Sequence, residues 1–588
     1  MTHTRTAQVA VTATLAGLAL CATLARAQGT ASRHAGAQGT SATQKFVAAH
    51  RGEILDEFMR LLAIPNIASD RANMRRNADA ILEMMQRRGL SPQLLTSSRD
   101  PDAPPIVFGE WKVRNAKQTI VLYAHYDGQP VNPADWATPP FTPTLRSAPL
   151  EKGGTVIATG ARDAADTPNT ASAPHAAAAT ASAGNAAAAS AATAAAPSAA
   201  TAAAPSAATA SAPSAGTAAA PSAAIAAAAA DPETRLYARG AGDDKLGVMV
   251  ILSAIDALRA THRTPTDNLK IVFEGEEEAG SPHLANLLTE HRALLDSQLW
   301  VVCDGPVHPT GRKMVVYGAR GDMNVDLTVY GPVRSLHSGH YGNWAQNPAL
   351  NLARLLASMK DEKGQVLVPG WYDDVAPLGD LEQRAIKEAA AYDETIKQEL
   401  GIAKTESDRS LPAATTLPSL NINGMRAANV AEQASNIIPD SATAVLDLRL
   451  VLGNEPLRQY EKLLNFVRSK GYYVIDRAPT LRERLEAPLI ANMKLRPGVY
   501  AAARTPMDNP LAHAMAAAIR ASSDQSVIEL PTSGGSLPLS IIQKALGTAS
   551  IDVPTANYDD NQHAPNENLR LGNLWDGINT YAALLTHG

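Results

Sequence analysis

Three short runs in this chain are too apolar to face water and too short to stand as helices, and each leads into ionisable residues. TIVLYA (119–124), KIVF (270–273) and LWVV (299–302) are rich in β-branched and aromatic residues, as strands covered on both faces are. His125 and Asp127 follow the first run, Glu277 and Glu278 the second, and Asp304 the third. Between the first two, Val248, Ile251, Leu252 and Ile255 recur at i, i+3, i+4 and i+7 on a predicted helix beginning near Asp244. This alternation specifies an α/β fold with a mainly parallel central sheet. Ligands of such sheets collect at the carboxyl ends of the strands, so these ionisable groups can share one crevice.

The stretch FEGEEEAGS (273–281) sharpens that expectation, because four of the five residues 274–278 are glutamates. Such crowding is costly unless water or a cation takes up the charge. Two further candidates are Asp243 in GAGDDKLG and His563 in DDNQHAPNE. Each has an ordinary reading by itself: a helix cap for Asp243, a satisfied core histidine for His125, a strand end for Asp304, a polar turn around His563. Their joint placement argues for one cause. Two histidines with three or more carboxylates form a mixed N/O donor set suited to Zn²⁺, with Mn²⁺ or Co²⁺ as substitutes.

A second region opens at YGARGDMNVDLTVYG, where Met323, Val325, Leu327 and Val329 alternate as at the edge of a half-exposed sheet. It continues through a helix with Leu352, Leu355, Leu356 and Met359 on one face and a further alternating strand, ATAVLDLRLVL (442–452). These read as a smaller α+β domain. From 163 to 230 the composition collapses to Ala, Ser, Thr and Pro around an eight-residue repeat close to TAAAPSAA. Proline at that period breaks any alanine helix, and only Ile225 offers a large apolar side chain, so a disordered surface insertion is expected.

The N-terminus carries a positive Arg5, an apolar stretch from about Val9 to Leu24 and a small-x-small site at Ala25-Arg26-Ala27. That is the pattern of a signal peptide (1–27) on a periplasmic or secreted protein, with no membrane span left after cleavage. Cys303 would then be the single remaining cysteine, so no internal disulfide is available. A net charge of −5 gives no reason to expect a nucleic-acid partner.

HYDGQPV, YARGAGDDKLG, FEGEEEAGS, VVCDGP, LHSGHYG, GGSLP and NQHAPNE, in this order, together resemble the motifs of the M20 metallopeptidases, in particular their carnosinase-like dipeptidase branch. The resemblance spans nearly everything from 41 to 588 except the Ala-rich insertion. It implies a zinc-peptidase catalytic domain (41–317 and 504–588) with an inserted lid and dimerisation domain (318–503) and a homodimer formed through that lid. It also implies two Zn²⁺ per chain: His125, Asp243 and Asp304 at one, Asp243, Glu278 and His563 at the other, with Asp243 bridging. Glu277 is then the general base, and Asp127 orients His125. His337 of LHSG steadies the oxyanion, often from the partner subunit, and Arg449 takes the substrate carboxylate. Gly534, Gly535 and Ser536 line the substrate pocket. Glu274 and Glu276 match no ligand.

The implied activity is amide hydrolysis of dipeptides or short peptides with a free C-terminal carboxylate. An N-acyl-amino-acid deacylase using the same metals is the alternative, and a non-catalytic peptide-binding protein a more distant one. Two departures stand out: Leu246 follows the lysine where the family carries glycine, and Asn343 replaces the second glycine of the HSG motif.

Overall fold

The computed structural model describes residues 42–159 and 222–587. The signal-peptide stretch and most of the Ala-rich insertion lie outside the described residues. Among those described, no helix is long and apolar enough to cross a membrane.

The three apolar runs are neighbours at the centre of an eight-stranded sheet. Thr119–His125 lies between Asn268–Glu274 and Leu299–Val302, parallel to both. Ala549–Asp552 continues the parallel block beside Leu299–Val302. The flanks are antiparallel, at Ile106–Trp111 on one side and Met314–Val316 on the other, so the sheet is mixed around a parallel centre. The chain crosses the Thr119–His125 strand to reach Leu299–Val302 from Asn268–Glu274, and a crevice opens where strand order reverses in this way.

The helix Lys245–Ala260 packs across one face, capped by Asp244, whose side chain accepts from the Gly247 amide at 3.0 Å. Every residue from Lys245 to Ile255 is buried, because the helix packs against both the Thr119–His125 strand and the helix Leu571–Leu585. Gly247 is required there. A Cβ would stand 2.5 Å from the Cys303 carbonyl oxygen and 2.9 Å from Ala124 Cβ.

The alternating strands form a second, five-stranded sheet. Met323, Val325, Leu327 and Val329 pack with Leu352, Leu355, Leu356 and Met359 into a separate apolar cluster. Gly321–Tyr330 was expected at the sheet edge. It is central, paired with Ser441–Leu450 on one side and Ile490–Leu495 on the other. A strand with one wet face alternates identically at an edge and in the middle, so periodicity does not distinguish the two.

The insertion was expected to lack structure through Ala230. Its last residues instead form the helix Ala223–Ala230, capped by Ser222, with Ile225, Ala228 and Ala229 buried against the main core. The single large apolar residue of the segment anchors it. Ser222 Oγ donates to the Thr159 carbonyl at 2.8 Å, so the chain leaves and re-enters the described structure at adjacent points. Replacing residues 160–221 by two glycines is therefore expected to move the Tm by no more than about 1.5 °C, a shift of about 1 kcal/mol for a domain this size. A larger loss by calorimetry would show that the segment contributes to the fold.

Candidate metal centre and substrate cavity

His125 is the last residue of its strand, Asp304 lies two residues beyond Val302, and Glu277 and Glu278 occupy the turn after Glu274. Glu277, Glu278 and Asp304 line a cavity of about 660 Å³ together with Asp243 and His563, and the buried His125 lies against Asp243 and Asp304. Asp243 turns one oxygen to each histidine: Oδ1 is 3.0 Å from His125 Nε2, and Oδ2 is 3.0 Å from His563 Nε2. His125 Nε2 also lies 3.5 Å from Asp304, and His563 Nε2 lies 3.3 Å from Glu278. The expected ligand residues thus form two groups that share one carboxylate.

Asp244 is near enough to His125 and Asp304 to be grouped with them. Its oxygens are engaged elsewhere, accepting from the backbone amides of His125 at 3.1 Å and Gly247 at 3.0 Å. Capping the helix with Asp244 leaves Asp243 for the cavity. Asp127 accepts from the amides of Glu277 and Glu278 and stands 3.3 Å from His125 Nδ1, too loose for a full hydrogen bond. It ties the glutamate turn to the histidine strand.

Crowding and burial shift the titration of these groups. Burial pushes up the Glu277 carboxyl, and burial with the Asp243 charge raises Glu278 to about 8. The hydrogen bond that His563 donates to Asp243 leads in raising His563 to about 9. Burial opposes protonation of His125, but Asp304 and the hydrogen bonds around it outweigh this and raise it well above the usual imidazole range. Glu278 Oε1 is buried with no hydrogen-bond partner. Two imidazoles and three carboxylates, one of them with an unpartnered oxygen, stand close enough together to fit divalent cations.

Neither remaining glutamate is solvated. Glu274 accepts from the buried Tyr123 hydroxyl at 2.6 Å, and burial raises it to about 7. Glu276 pairs with Arg71 at 2.7 Å and His283 at 2.6 Å.

The far wall comes from the open face of the second sheet and from the Ser533–Leu537 turn. Arg449, register partner of Asp322, lines the cavity and donates to Ser536 Oγ at 3.0 Å, with Asp447 at 3.2 Å behind it. Gly534 and Gly535 line it as well, whereas the exposed His337 does not. His337 Nδ1 accepts from the Gly339 amide at 3.0 Å and caps a short turn. Of the two departures, Leu246 is buried in the main core, and Asn343 has φ of 62°. Asparagine tolerates that left-handed backbone better than most residues.

Sequence reasoning missed what holds Asp243. Glu567, fully buried, accepts from the amides of Gly240, Gly242 and Asp243 and from Arg239 Nη1 at 2.7 Å. Lys245, also buried, donates to the carbonyls of Leu61 and Ile64. All three sit inside motifs the sequence displays, but their partners are distant in the chain. Sequence spacing carries no sign of such pairing.

This arrangement, a parallel-sheet crevice lined by imidazoles and carboxylates, defines a metal-dependent hydrolase. The sequence pattern of peptidase family M20/M25/M40 matches residues 213–587, more than half the chain, and the protein belongs to that family. It is similar to the Cys-Gly metallodipeptidase DUG1 of Candida albicans, 23% identical over 556 residues that cover 91% of this chain and 94% of that protein. It is also similar to the human Beta-Ala-His dipeptidase, 27% identical over 365 residues, covering 59% of this chain and 68% of that one. The crystal structure of human carnosine dipeptidase 1 shares the fold, with a TM-score of 0.63 at 19% identity over 93% of this chain and 99% of that one.

Substituting Glu567 by alanine should strand the Arg239 charge and free the loop that carries Asp243. Breaking a buried pair costs on the order of 3–5 kcal/mol. Denaturant unfolding together with metal content should show both losses; an unchanged midpoint would mean that the pair positions nothing.

Proposed function

We propose that this enzyme is an exported dinuclear zinc dipeptidase that hydrolyses the amide bond of dipeptides or short peptides with a free C-terminal carboxylate. The observation that carries this reading is Asp243, with one oxygen turned to each of two histidine–carboxylate groups. The relatives' names, Cys-Gly metallodipeptidase and Beta-Ala-His dipeptidase, favour peptides over N-acyl amino acids. Export rests on the N-terminal sequence pattern.

His125, Asp243 and Asp304 would hold one cation, and Asp243, Glu278 and His563 the other. Cations held by these residues would supply a Lewis acid for the scissile carbonyl and lower the pKa of a water. Glu277, half-buried at the cavity wall, takes the proton of the attacking water and returns it to the leaving amine. Asp127 fixes the Glu277–Glu278 turn through two backbone amides. The Arg449 fork, braced by Ser536 and Asp447, receives the substrate carboxylate, while Gly534 and Gly535 line the cavity beside it. We assign residues 318–503 the role of lid. His337, exposed and outside the cavity of its own chain, would reach the oxyanion of a partner copy in a homodimer.

Zn²⁺-loaded protein should hydrolyse a dipeptide panel, and chelation should abolish the activity. Glu277→Gln is expected to lower kcat by roughly 10²–10⁴ with KM little changed, as loss of a general base does. Arg449→Ala should mainly raise KM. Cleavage of N-acyl amino acids alone would transfer the same site to the deacylase reading, and Glu277→Gln at full rate would remove the base assignment.

A further inference from the structure

Asp552 ends the strand Ala549–Asp552, lines the cavity and is 3% exposed. Its register neighbours are Val302 on one side and Val316 on the other, and Val316 pairs in turn with Leu530. Residues in register project to the same face, so this carboxylate occupies a place in an otherwise aliphatic row. The nearest hydrogen bond it accepts is a long one, 3.4 Å from the Asp304 amide. No arginine, lysine or histidine among the described residues forms an ion pair with it. Buried carboxylates are normally paired, and this one is open to the space a substrate enters. Met314, Val316, Leu530 and Pro554 line the cavity with it.

We propose that Asp552 is a specificity-determining residue that pairs with a cationic side chain of the substrate, the ammonium or guanidinium of a lysine- or arginine-type residue. The four apolar neighbours give its methylene stem a surface to lie along, the way long cationic side chains cover apolar walls while their heads find charge. Its one link to the assigned metal set is the long bond from the Asp304 amide, and no hydrogen bond or ion pair joins it to the Arg449 fork. The inference rests on the dipeptidase reading for the identity of the substrate.

The test uses full-length, metal-loaded enzyme and two peptide series, X-Gly and Gly-X, with X as lysine or its uncharged isostere norleucine. Both members of each pair carry the same α-ammonium, so their ratio isolates the side chain. In one series the wild type should favour lysine in kcat/KM by about tenfold or more, and Asp552→Asn should bring the ratio to within about twofold of unity. Asp552→Leu, which matches the valines beside it, serves as a second variant if the first fails to fold. Equal cleavage of lysine and norleucine peptides by the wild type, or a preference that persists in the variants, overturns the assignment and leaves the dipeptidase reading standing. If no dipeptide is cleaved, it is the dipeptidase reading that fails. Calorimetric binding of free L-lysine against L-norleucine then decides Asp552: tighter lysine binding lost in the variant supports it, and equal binding overturns it.

Discussion

Everything at the active end of this molecule depends on placing like charges together without letting them repel the fold apart. Asp243 is the pivot. It is buried, touches a histidine through each oxygen, and belongs to a loop whose amides are gathered by the Glu567 carboxylate. Glu567 in turn is neutralised by Arg239, which reaches under the loop from the same motif. A carboxylate centred between two histidines can serve two cations only if its own backbone cannot drift, and this inner ion pair fixes that backbone.

The sheet supplies the remaining order. Parallel strands end at the same level, so His125, Asp304 and the glutamate turn reach one crevice from segments far apart in the chain. The second sheet keeps its apolar side for its own helices and turns Asp322, Asn324 and Arg449 toward the same space. One face builds a core and the other builds half a binding site. That division follows from the two-residue period of a strand alone.

Much of this was legible in the sequence because it is written locally. The three buried strands, the helix after Asp244 and the ligand-type residues at strand ends each leave a short-range signature. What was not legible depends on partners distant in the chain. The place of Gly321–Tyr330 in the middle of its sheet needs both neighbouring strands. The bracing role of Glu567 and Lys245 needs contacts with Asp243's loop and with the carbonyls of Leu61 and Ile64. The helix Ala223–Ala230 stands between these cases. Ile225 was visible as the only large apolar residue of a low-complexity segment, yet its docking depends on a surface the segment does not contain. Glu274 and Glu276 show the same limit, since Tyr123, Arg71 and His283 decide their surroundings.

The central claim is that Asp243 is shared between two cation sites, and metal stoichiometry tests it most directly. Chelator-stripped protein would be titrated calorimetrically with Zn²⁺, wild type beside Asp243→Asn, with bound metal counted by elemental analysis. The account predicts two Zn²⁺ per wild-type chain and weakened binding at both sites in the variant. One ion per chain, or a variant that still holds two ions with wild-type affinity, would contradict it.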